Sequence, residues 1–360
     1  MKTYGKVLST IVILLSLFGD IMVYSSSYIW SEYKFGNPYH FFIMQTIFIM
    51  LGILLMKFIS NIDYKFFKNN ASKILFFCIF LLILVLIPGL GKVRNGSRSW
   101  FGIGPFGIQP SEIAKIGLII FISRYLSRNE KDMRSIKKGV LPILGIVIFI
   151  FALIMLEPDF GTGMIITLTG IVMIFISKAD LSFVYKLGII GVVLIATLIL
   201  IAPYRLTRII SFLDPWKDPL GSGFQIIQSL YAIGPNGLLG AGFLNSIQKN
   251  FYLPEPETDF IFSIISEEFG FLGVLTISIF FISIFFISMK IFFKTNNLFA
   301  KYLVFGLSFG ILLQALLNLS VVVGLIPVTG VTLPFISYGG SSLLTSFLSI
   351  GIILNVDKNK

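Results

Sequence analysis

The sequence has 360 residues, of which 56% are hydrophobic and 12% charged, and its formal net charge is +11. Soluble domains carry roughly 25% charged residues, so this chain is too apolar to cover itself with polar surface in water. The composition excludes a soluble globular protein, and its apolar runs of roughly 18 to 22 residues favour transmembrane helices over barrel strands. The positive charge is expected from membrane topology and anionic lipid, and we find no nucleic-acid motif.

We predict an all-α integral membrane protein that forms a single membrane domain over residues 1–360. Ten spans are predicted, at about 8–28, 41–59, 74–91, 111–127, 140–156, 160–178, 183–203, 260–290, 300–323 and 338–356. The eighth is longer than a bilayer requires, so we expect it to be tilted or to project into water.

The basic residues indicate the orientation of these spans. With the N-terminus inside, most Lys and Arg residues fall at cytoplasmic ends and loops, as the positive-inside rule requires. Both termini are then cytoplasmic. The outer basic residues concentrate in two segments, 92–110 and 204–259. The second is a long connection before the eighth span, and Phe224–Tyr231 within it reads as an amphipathic helix, so we expect a structured outer loop.

The chain has few cysteine and histidine side chains for catalysis or metal binding. The chain has one cysteine, Cys78, and one histidine, His40, which excludes an intrachain disulfide and argues against a zinc site. Acid–base chemistry must therefore rest on carboxylates or lysines.

The first polar motif opens the fourth span at Gln109–Lys115. Pro110 precedes a helix that Ser111 can cap. Glu112 and Lys115 are three residues apart, so they can pair on one helix face. Two interpretations stay open: a neutralising pair that makes insertion tolerable, or a charged wall of a water-filled cavity.

The second motif is the outward turn Glu157–Gly163, with carboxylates at Glu157 and Asp159. Two carboxylates on a short turn can simply be solvated at the membrane interface. Alternatively, they belong to a functional site, because polar residues near membrane depth are costly.

The third motif is Leu253–Phe262, where the long outer loop meets the eighth span. Asp259 there could be only a helix N-terminal charge, although Thr258 would serve as a cap equally well. A carboxylate at a water–lipid border is also a candidate general base, because desolvation disfavours its charged form. Glu267 and Glu268 lie deeper and either face a cavity or form a structural polar cluster.

These motifs resemble those of the SEDS (shape, elongation, division and sporulation) family, whose members include FtsW, RodA and SpoVE. The resemblance spans nearly the whole chain and rests on six ordered motifs, at 98–105, 109–115, 157–163, 208–216, 253–262 and 334–342. Stretches at 229–231 and 245–249 resemble FtsW or SpoVE more than RodA. The sequence departs from the family's pattern at Asp20 in the first span, where an apolar residue is expected.

The resemblance implies a peptidoglycan glycosyltransferase in the bacterial cytoplasmic membrane that polymerises lipid II into β-1,4 glycan strands at the outer face, for cell division or cell shape. It implies a class B penicillin-binding protein as partner, with other divisome or elongasome membrane proteins. The family's essential Asp falls on Asp259, its paired Glu and Lys on Glu112 and Lys115, and the Trp of its first outer loop on Trp100.

In a reaction of lipid II the leaving group is a pyrophosphate, whose negative charge needs nearby positive charge. The outward cations available for this role are Arg98, Arg205, Arg208 and Lys249, with Lys115 behind them. A divalent cation, Mg²⁺ or Mn²⁺, could share the role, although no ligand cluster demands a metal. Asp159 and Ser341 complete the predicted substrate-binding residues. Ser341 lies in a stretch that is either a hydroxyl-rich part of the cavity or a small-residue helix contact.

Two other functions stay open. Ten helices, intramembrane charges and an outer cavity would equally suit a lipid II flippase, but a flippase has no obvious need for a base at the outer surface. A non-enzymatic scaffold for division proteins predicts that Asp259→Ala leaves function intact.

Overall fold

The structure, a computed structural model, describes residues 3–94, 96–103, 106–177 and 210–359, together with Gly188, Gly191, Val193 and Thr197. This part of the chain contains ten α-helices: α1 (Thr3–Phe35), α2 (His40–Ile59), α3 (Tyr64–Leu86), α4 (Pro110–Arg128), α5 (Leu141–Leu156), α6 (Phe160–Phe175), α7 (Phe224–Ile233), α8 (Ile261–Lys294), α9 (Leu298–Val322) and α10 (Gly340–Lys358). Short helical turns lie at Asp132–Arg134, Ile136–Val140 and Pro215–Lys217.

By length and composition, seven described helices can cross a membrane: α1, α2, α3, α5 with its preceding turn, α8, α9 and α10. Helix α6 is apolar but shorter, and α4 carries the charges of Glu112 and Lys115. The all-α membrane fold is therefore confirmed. Nine predicted spans coincide with helices, and the seventh, 183–203, lies outside the described residues except for Gly188, Gly191, Val193 and Thr197. The amphipathic helix of the outer loop is α7.

Some helices extend well beyond their predicted spans. Helix α3 begins at Tyr64, ten residues before the predicted start, and the Asp63 carboxylate caps it by accepting the Lys65 N–H at 2.9 Å. Helix α1 continues to Phe35. The reason is physical: hydropathy marks the apolar depth of a bilayer, whereas a capped helix continues into water.

The first outer segment folds as a small antiparallel sheet, which the sequence analysis did not predict. Its strands are β1 (Lys92–Arg94), β2 (Ser97–Ile103) and β3 (Phe106–Ile108), in the order β1-β2-β3. The register shifts between Lys92 and Val93, which pair with Trp100 and Arg98. This irregularity places one extra residue in β2, so simple alternation does not decide which side chains face inward.

Helix α8 is broken rather than straight. Gly270 has φ 60° and ψ −155°, a conformation that L side chains rarely adopt. The break exposes backbone groups that the outer loop satisfies with four hydrogen bonds of 2.8–3.2 Å: Ala241 and Gly242 donate to the carbonyls of Glu267 and Glu268, and Phe271 and Leu272 donate to those of Gly237 and Leu238. The predicted eighth span is thus not one tilted rod but two helical parts joined at a glycine.

The two chain ends meet at one end of the bundle. The Gly5 N–H donates to the Asp357 carboxylate at 3.2 Å, which joins the start of α1 to the end of α10. At the same end, the Asn355 side chain accepts from the Tyr64 N–H and donates to the Ser60 carbonyl. The sheet and the loop before α8 lie towards the other end. This agrees with the prediction that both termini share one side of the membrane.

Candidate active site

A cavity of about 860 Å³ lies at the end of the bundle that carries the sheet. Its walls come from α1, β1 and β2, the start of α4, the turn before α6, and the segments 251–259, 328–332 and 338–342. Five predicted site residues line it: Trp100, Glu112, Asp159, Lys249 and Asp259. Motifs that lie far apart in sequence therefore meet in one place.

Asp259 lies at the junction of the outer loop with α8 and is partly buried. Its backbone carbonyl accepts from the Asn318 amide at 2.8 Å, and the same amide donates to the Val331 carbonyl at 2.7 Å. The carboxylate lies close to Gly330, where a Cβ would be 3.7 Å from Oδ2. Asn318 thus fixes the Asp259 backbone against the loop that carries Gly330.

Asp259 is not a helix cap. The N-cap of α8 is Phe260, which makes no side-chain cap hydrogen bond. The alternative cap, Thr258, instead donates to the Glu255 carbonyl at 3.2 Å. Asp259 therefore lies one residue before the cap position, and its interpretation as a charge near the helix N-terminus stays open beside that of a general base.

Glu112 and Lys115 form the expected pair one helical turn apart, with 2.9 Å between Nζ and Oε2. Thr345 donates to Glu112 at 2.9 Å, and Lys115 donates to Gln314 Oε1 at 2.7 Å. Glu112 faces the cavity, whereas Lys115 lines a smaller void of about 30 Å³ deeper in the bundle. Both open interpretations hold together, because the pair is neutral and also forms part of the cavity wall.

Gln314 on α9 joins this pair to the other side of the cavity. Its amide donates to the Thr332 carbonyl and to Ser342 Oγ, both at 3.0 Å. Thr332 also donates to Ser342 at 2.9 Å. A single glutamine therefore connects α4, the loop before α10 and α10. The sequence analysis missed it, although a glutamine within an apolar span is itself a signal of function.

Asp159 is the N-cap of α6 and accepts the Thr162 N–H at 3.1 Å. Its other oxygen accepts from the Gln109 amide at 2.8 Å. Burial of the carboxyl raises its pKa, and the nearby Glu112 charge raises it further, while the Thr162 hydrogen bonds and Lys115 lower it. Asp159 thus links the turn before α6 to the start of α4 within the cavity wall.

Glu157, in the same turn, is fully buried, with 0% exposure, and neither carboxyl oxygen has a hydrogen-bond partner among the described residues. Its burial, with a smaller contribution from Asp159, raises the pKa to about 9, so the carboxyl is uncharged at neutral pH. The interpretation of this turn as a pair of solvated interfacial carboxylates is wrong, because Glu157 has no contact with water.

The predicted cations are only partly confirmed as neighbours of the cavity. Arg98 on β2 is not among the lining residues, and Arg94 on β1 takes its place, with its guanidinium 4.9 Å from the centre of the Trp100 ring. The cause is the register irregularity between these strands. Arg205 and Arg208 lie outside the described residues.

Lys249 lines the cavity, but its ammonium is engaged elsewhere. It forms an ion pair with Glu268 at 2.7 Å, and its side chain is 1% exposed. Ser25 on α1 accepts from the same ammonium at 3.2 Å and donates to Glu268. The assignment of Lys249 as a phosphate-binding cation is corrected, because its charge is already neutralised in a buried pair.

Glu267 and Glu268 form the structural polar cluster, the second of the two interpretations left open. Glu267 accepts from Ser246 Oγ at 2.5 Å and from the Ile247 N–H at 2.7 Å. Together with the Lys249 pair, these bonds anchor the segment 246–249 to the short part of α8.

Ser341 joins two elements rather than facing the cavity. Its hydroxyl accepts from the Gln109 N–H at 2.9 Å and donates to the Gly107 carbonyl at 3.1 Å, which ties α10 to the strand before α4. The packing interpretation is supported, and the neighbouring Ser342 lines the cavity instead.

Ser111, the expected cap of α4, does not occupy the cap position, since that residue is Gln109.

Several lining residues were missed by the sequence analysis: Lys34, Arg94, Gln109, Glu257, Gln314, Thr332 and Tyr338. Glu257 could have been found from its charge within the Leu253–Phe262 motif. Gln314 could have been found as a polar residue within an apolar span. The others depend on how separate elements pack.

The described residues contain no group of three or more His, Cys, Asp or Glu side chains placed to hold a metal ion. Glu112, Asp159 and Asp259 share the cavity, but the first two already accept hydrogen bonds from neighbouring side chains. No residues are therefore assigned here to the divalent cation considered above.

Comparison with known proteins identifies the family of the chain. A model of the FtsW, RodA and SpoVE family, described as "Cell cycle protein", matches residues 6–360. The chain is 48% identical over 358 residues to stage V sporulation protein E of Bacillus subtilis, which covers 99% of this chain and 98% of that protein. It is 38% identical over 360 residues to the probable peptidoglycan glycosyltransferase FtsW of Legionella pneumophila, with 99% and 91% covered.

Solved structures show the same fold. A chain from a study titled "Structural coordination of polymerization and crosslinking by a peptidoglycan synthase complex" superposes with a TM-score of 0.80 and 28% identity, covering 100% of this chain and 99% of that one. The crystal structure of the rod shape determining protein RodA of Thermus thermophilus gives a TM-score of 0.72 at 24% identity, with 98% and 96% covered. With sequence, fold and cavity in agreement, the chain belongs to the FtsW, RodA and SpoVE family of membrane proteins.

Proposed function

We propose that the protein is a peptidoglycan glycosyltransferase that polymerises lipid II into β-1,4 glycan strands. The observation that carries this proposal is the meeting of Glu112, Asp159 and Asp259 in one large cavity beside the outer loop. The names of the relatives support it, since several are probable peptidoglycan glycosyltransferases. The cavity lies away from the joined chain ends, which places it on the outer side if those ends are cytoplasmic.

Asp259 is the general base in this proposal. Asp259 lines the cavity where the outer loop meets α8. It lies beside Gly330, whose missing side chain leaves space for a substrate. It removes the proton from the acceptor 4-hydroxyl, whose oxygen then attacks the anomeric carbon of the donor sugar. The bond to pyrophosphate breaks and the configuration inverts in one displacement.

The leaving pyrophosphate needs nearby positive charge. Among the described residues that line the cavity, Arg94 and Lys34 are the cations best placed for this role, because the Lys249 ammonium is paired with Glu268. A guanidinium can bind phosphate through two parallel hydrogen bonds. Arg205 and Arg208 remain proposals from the sequence, as does a divalent cation that would share the charge.

The location and the partner of the enzyme follow from the chemistry of its substrate. Lipid II carries its sugars on a polyprenyl tail, so the enzyme would act at the outer face of the bacterial cytoplasmic membrane. We propose a class B penicillin-binding protein as the transpeptidase partner. A structural relative studied as part of a peptidoglycan synthase complex supports this proposal.

The test is lipid II polymerisation by the purified protein with its cognate penicillin-binding protein, comparing wild type with Asp259→Asn. Wild type should form glycan chains, and Asp259→Asn should form none while its melting temperature stays unchanged. Asp63→Asn is the matched control: it makes the same chemical change at the opposite end, and asparagine caps α3 equally well.

Equal activity in wild type and Asp259→Asn would remove Asp259 from the mechanism and favour the scaffold. Inactivity of wild type with its partner present would instead favour the flippase, which lipid II translocation in vesicles would then measure.

A further inference from the structure

Glu257 is a buried carboxyl in the cavity wall that the mechanism above does not use. Only 5% of the residue is exposed, yet it lines the cavity, and its Oε2 has no hydrogen-bond partner among the described residues. Its backbone carbonyl accepts from the Tyr338 N–H at 2.8 Å, so the main chain at this point is fixed. A buried polar atom without a partner is costly unless something else supplies one.

The charged and titratable groups that act on Glu257 come from three elements that line the same cavity: Lys34 from α1, Tyr338 from the segment before α10, and Glu255 and Asp259 from its own segment. The pKa of Glu257 is raised to about 7, chiefly by burial and less by the charges of Glu255 and Asp259, while its own backbone N–H and Lys34 lower it.

Lys34 does not neutralise Glu257 as a contact partner. The two residues form no ion pair in the described part of the chain, where the pairs are Lys115–Glu112 and Lys249–Glu268. Glu112 also accepts a hydrogen bond from the Thr345 hydroxyl, and Glu268 accepts one from the Ser25 hydroxyl. Glu257 lacks both kinds of partner, so its environment suits an uncharged carboxyl.

We propose that Glu257 binds the substrate as an uncharged carboxyl, donating a hydrogen bond to an acceptor oxygen of an N-acetylated amino sugar, such as the acetamido carbonyl. This inference rests on the proposed glycosyl transfer. The carboxyls of Glu257 and Asp259, two residues apart, then have opposite roles, since an ionised carboxylate can only accept and a protonated one can donate. No covalent step occurs at Glu257.

The experiment measures kcat/KM for lipid II polymerisation against pH for the full chain with its partner. If only the protonated form of Glu257 binds, wild type should lose activity by about twentyfold between about pH 6.5 and 8.5, given a pKa near 7. Glu257→Gln keeps a donor at every pH, so that alkaline fall should disappear. Glu257→Ala has no donor and should raise KM more than Glu257→Gln does at about pH 6.5.

Glu255→Gln is the matched control, because it makes the same change at an exposed neighbour. It should keep the alkaline fall but move it to slightly lower pH, since the Glu255 charge helps to raise the Glu257 pKa. Other groups that titrate in this range, such as Glu157, are common to every variant and cancel in the comparison.

The inference is overturned by a wild-type rate that does not fall over this pH range, or by a Glu257→Gln profile that falls in parallel with wild type. A Glu257→Gln variant as impaired as Glu257→Ala also overturns it, because the carboxyl would then act as an anion. Asp259→Asn separates the two proposals. If it is active, the proposed mechanism fails; if it is inactive while Glu257→Gln keeps the wild-type pH profile, only the role of Glu257 fails.

Discussion

Two buried Glu–Lys pairs lie within the same protein and serve different ends. Glu112–Lys115 is local to α4, borders the cavity, and has side chains 6% and 12% exposed. Glu268–Lys249 joins α8 to the outer loop and is almost completely enclosed, at 0% and 1%. The first pair forms part of the site. The second holds segment 246–249 of the outer loop against the short part of α8, and we call this joined loop and helix the frame, next to which Asp259 lies. Similar ion chemistry can therefore support either the reaction or the fold, and the neighbours decide which.

The largest expected effect is on the stability that the second pair gives to the frame. Lys249→Met leaves the buried Glu268 without its cation, so we expect the free energy of unfolding to fall by about 3–5 kcal/mol. Thermal unfolding in detergent would measure it. The double variant Lys249→Met with Glu268→Gln removes both charges and should recover most of the loss. A double variant as unstable as the single one would show that the charge of Glu268 is not the cause.

A second prediction concerns the pair at the site. Glu112→Gln should lower the rate of lipid II polymerisation by about 100-fold, because it removes the carboxylate that accepts from Lys115 and Thr345 and so displaces this part of the cavity wall. Its effect on unfolding should be smaller than that of Lys249→Met, since Gln314 still holds Lys115. Glu130→Gln, beyond the other end of α4, is the control. If Glu112→Gln destabilises the protein as strongly as Lys249→Met while the rate per folded molecule is unchanged, Glu112 belongs to the frame.

A third prediction uses Glu157, a buried carboxyl with no cation partner in the described part of the chain. Its pKa is about 9 in the folded protein against 4.5 for an ordinary glutamate, so the unfolded chain releases the proton first. Stability contributed by this group is therefore complete below about pH 4.5 and declines as pH rises towards 9.

Glu157→Gln removes this decline, so it should be more stable than wild type by about 3 kcal/mol near pH 7, with little difference near pH 4.5. Melting temperatures of both proteins across this pH range would measure it. A constant difference at all pH values would mean that Glu157 is ionised in the folded protein.

The sequence was sufficient for the helices and for the local pair. Apolar runs of bilayer length predict helices because lipid allows few other backbone arrangements. Glu112 and Lys115 were paired correctly because i,i+3 residues share one helix face. The placement of Asp259 at the loop–helix junction was also correct, since the apolar run begins directly after it.

Other features depend on packing that no local pattern reveals. Lys249 and Glu268 are 19 residues apart and meet where the outer loop packs against the short part of α8, before the break at Gly270. Arg94 rather than Arg98 reaches the cavity because the register shifts within a sheet whose strands are short and rich in glycine and serine. Such strands have no hydrophobic period from which a facing side could be read.

The break at Gly270 also bears on how a lipid-borne substrate reaches Asp259. At 1.5 Å per residue, the part of α8 from 271 to 294 is about 36 Å long, enough by itself to cross the hydrocarbon core of a bilayer. The short part, 261–269, is then not needed to span the bilayer, and Asp259 lies just before its first residue. A substrate anchored by its tail can arrive there by lateral diffusion, so its number per unit area of membrane would set the encounter rate, whatever the volume of the surrounding solution.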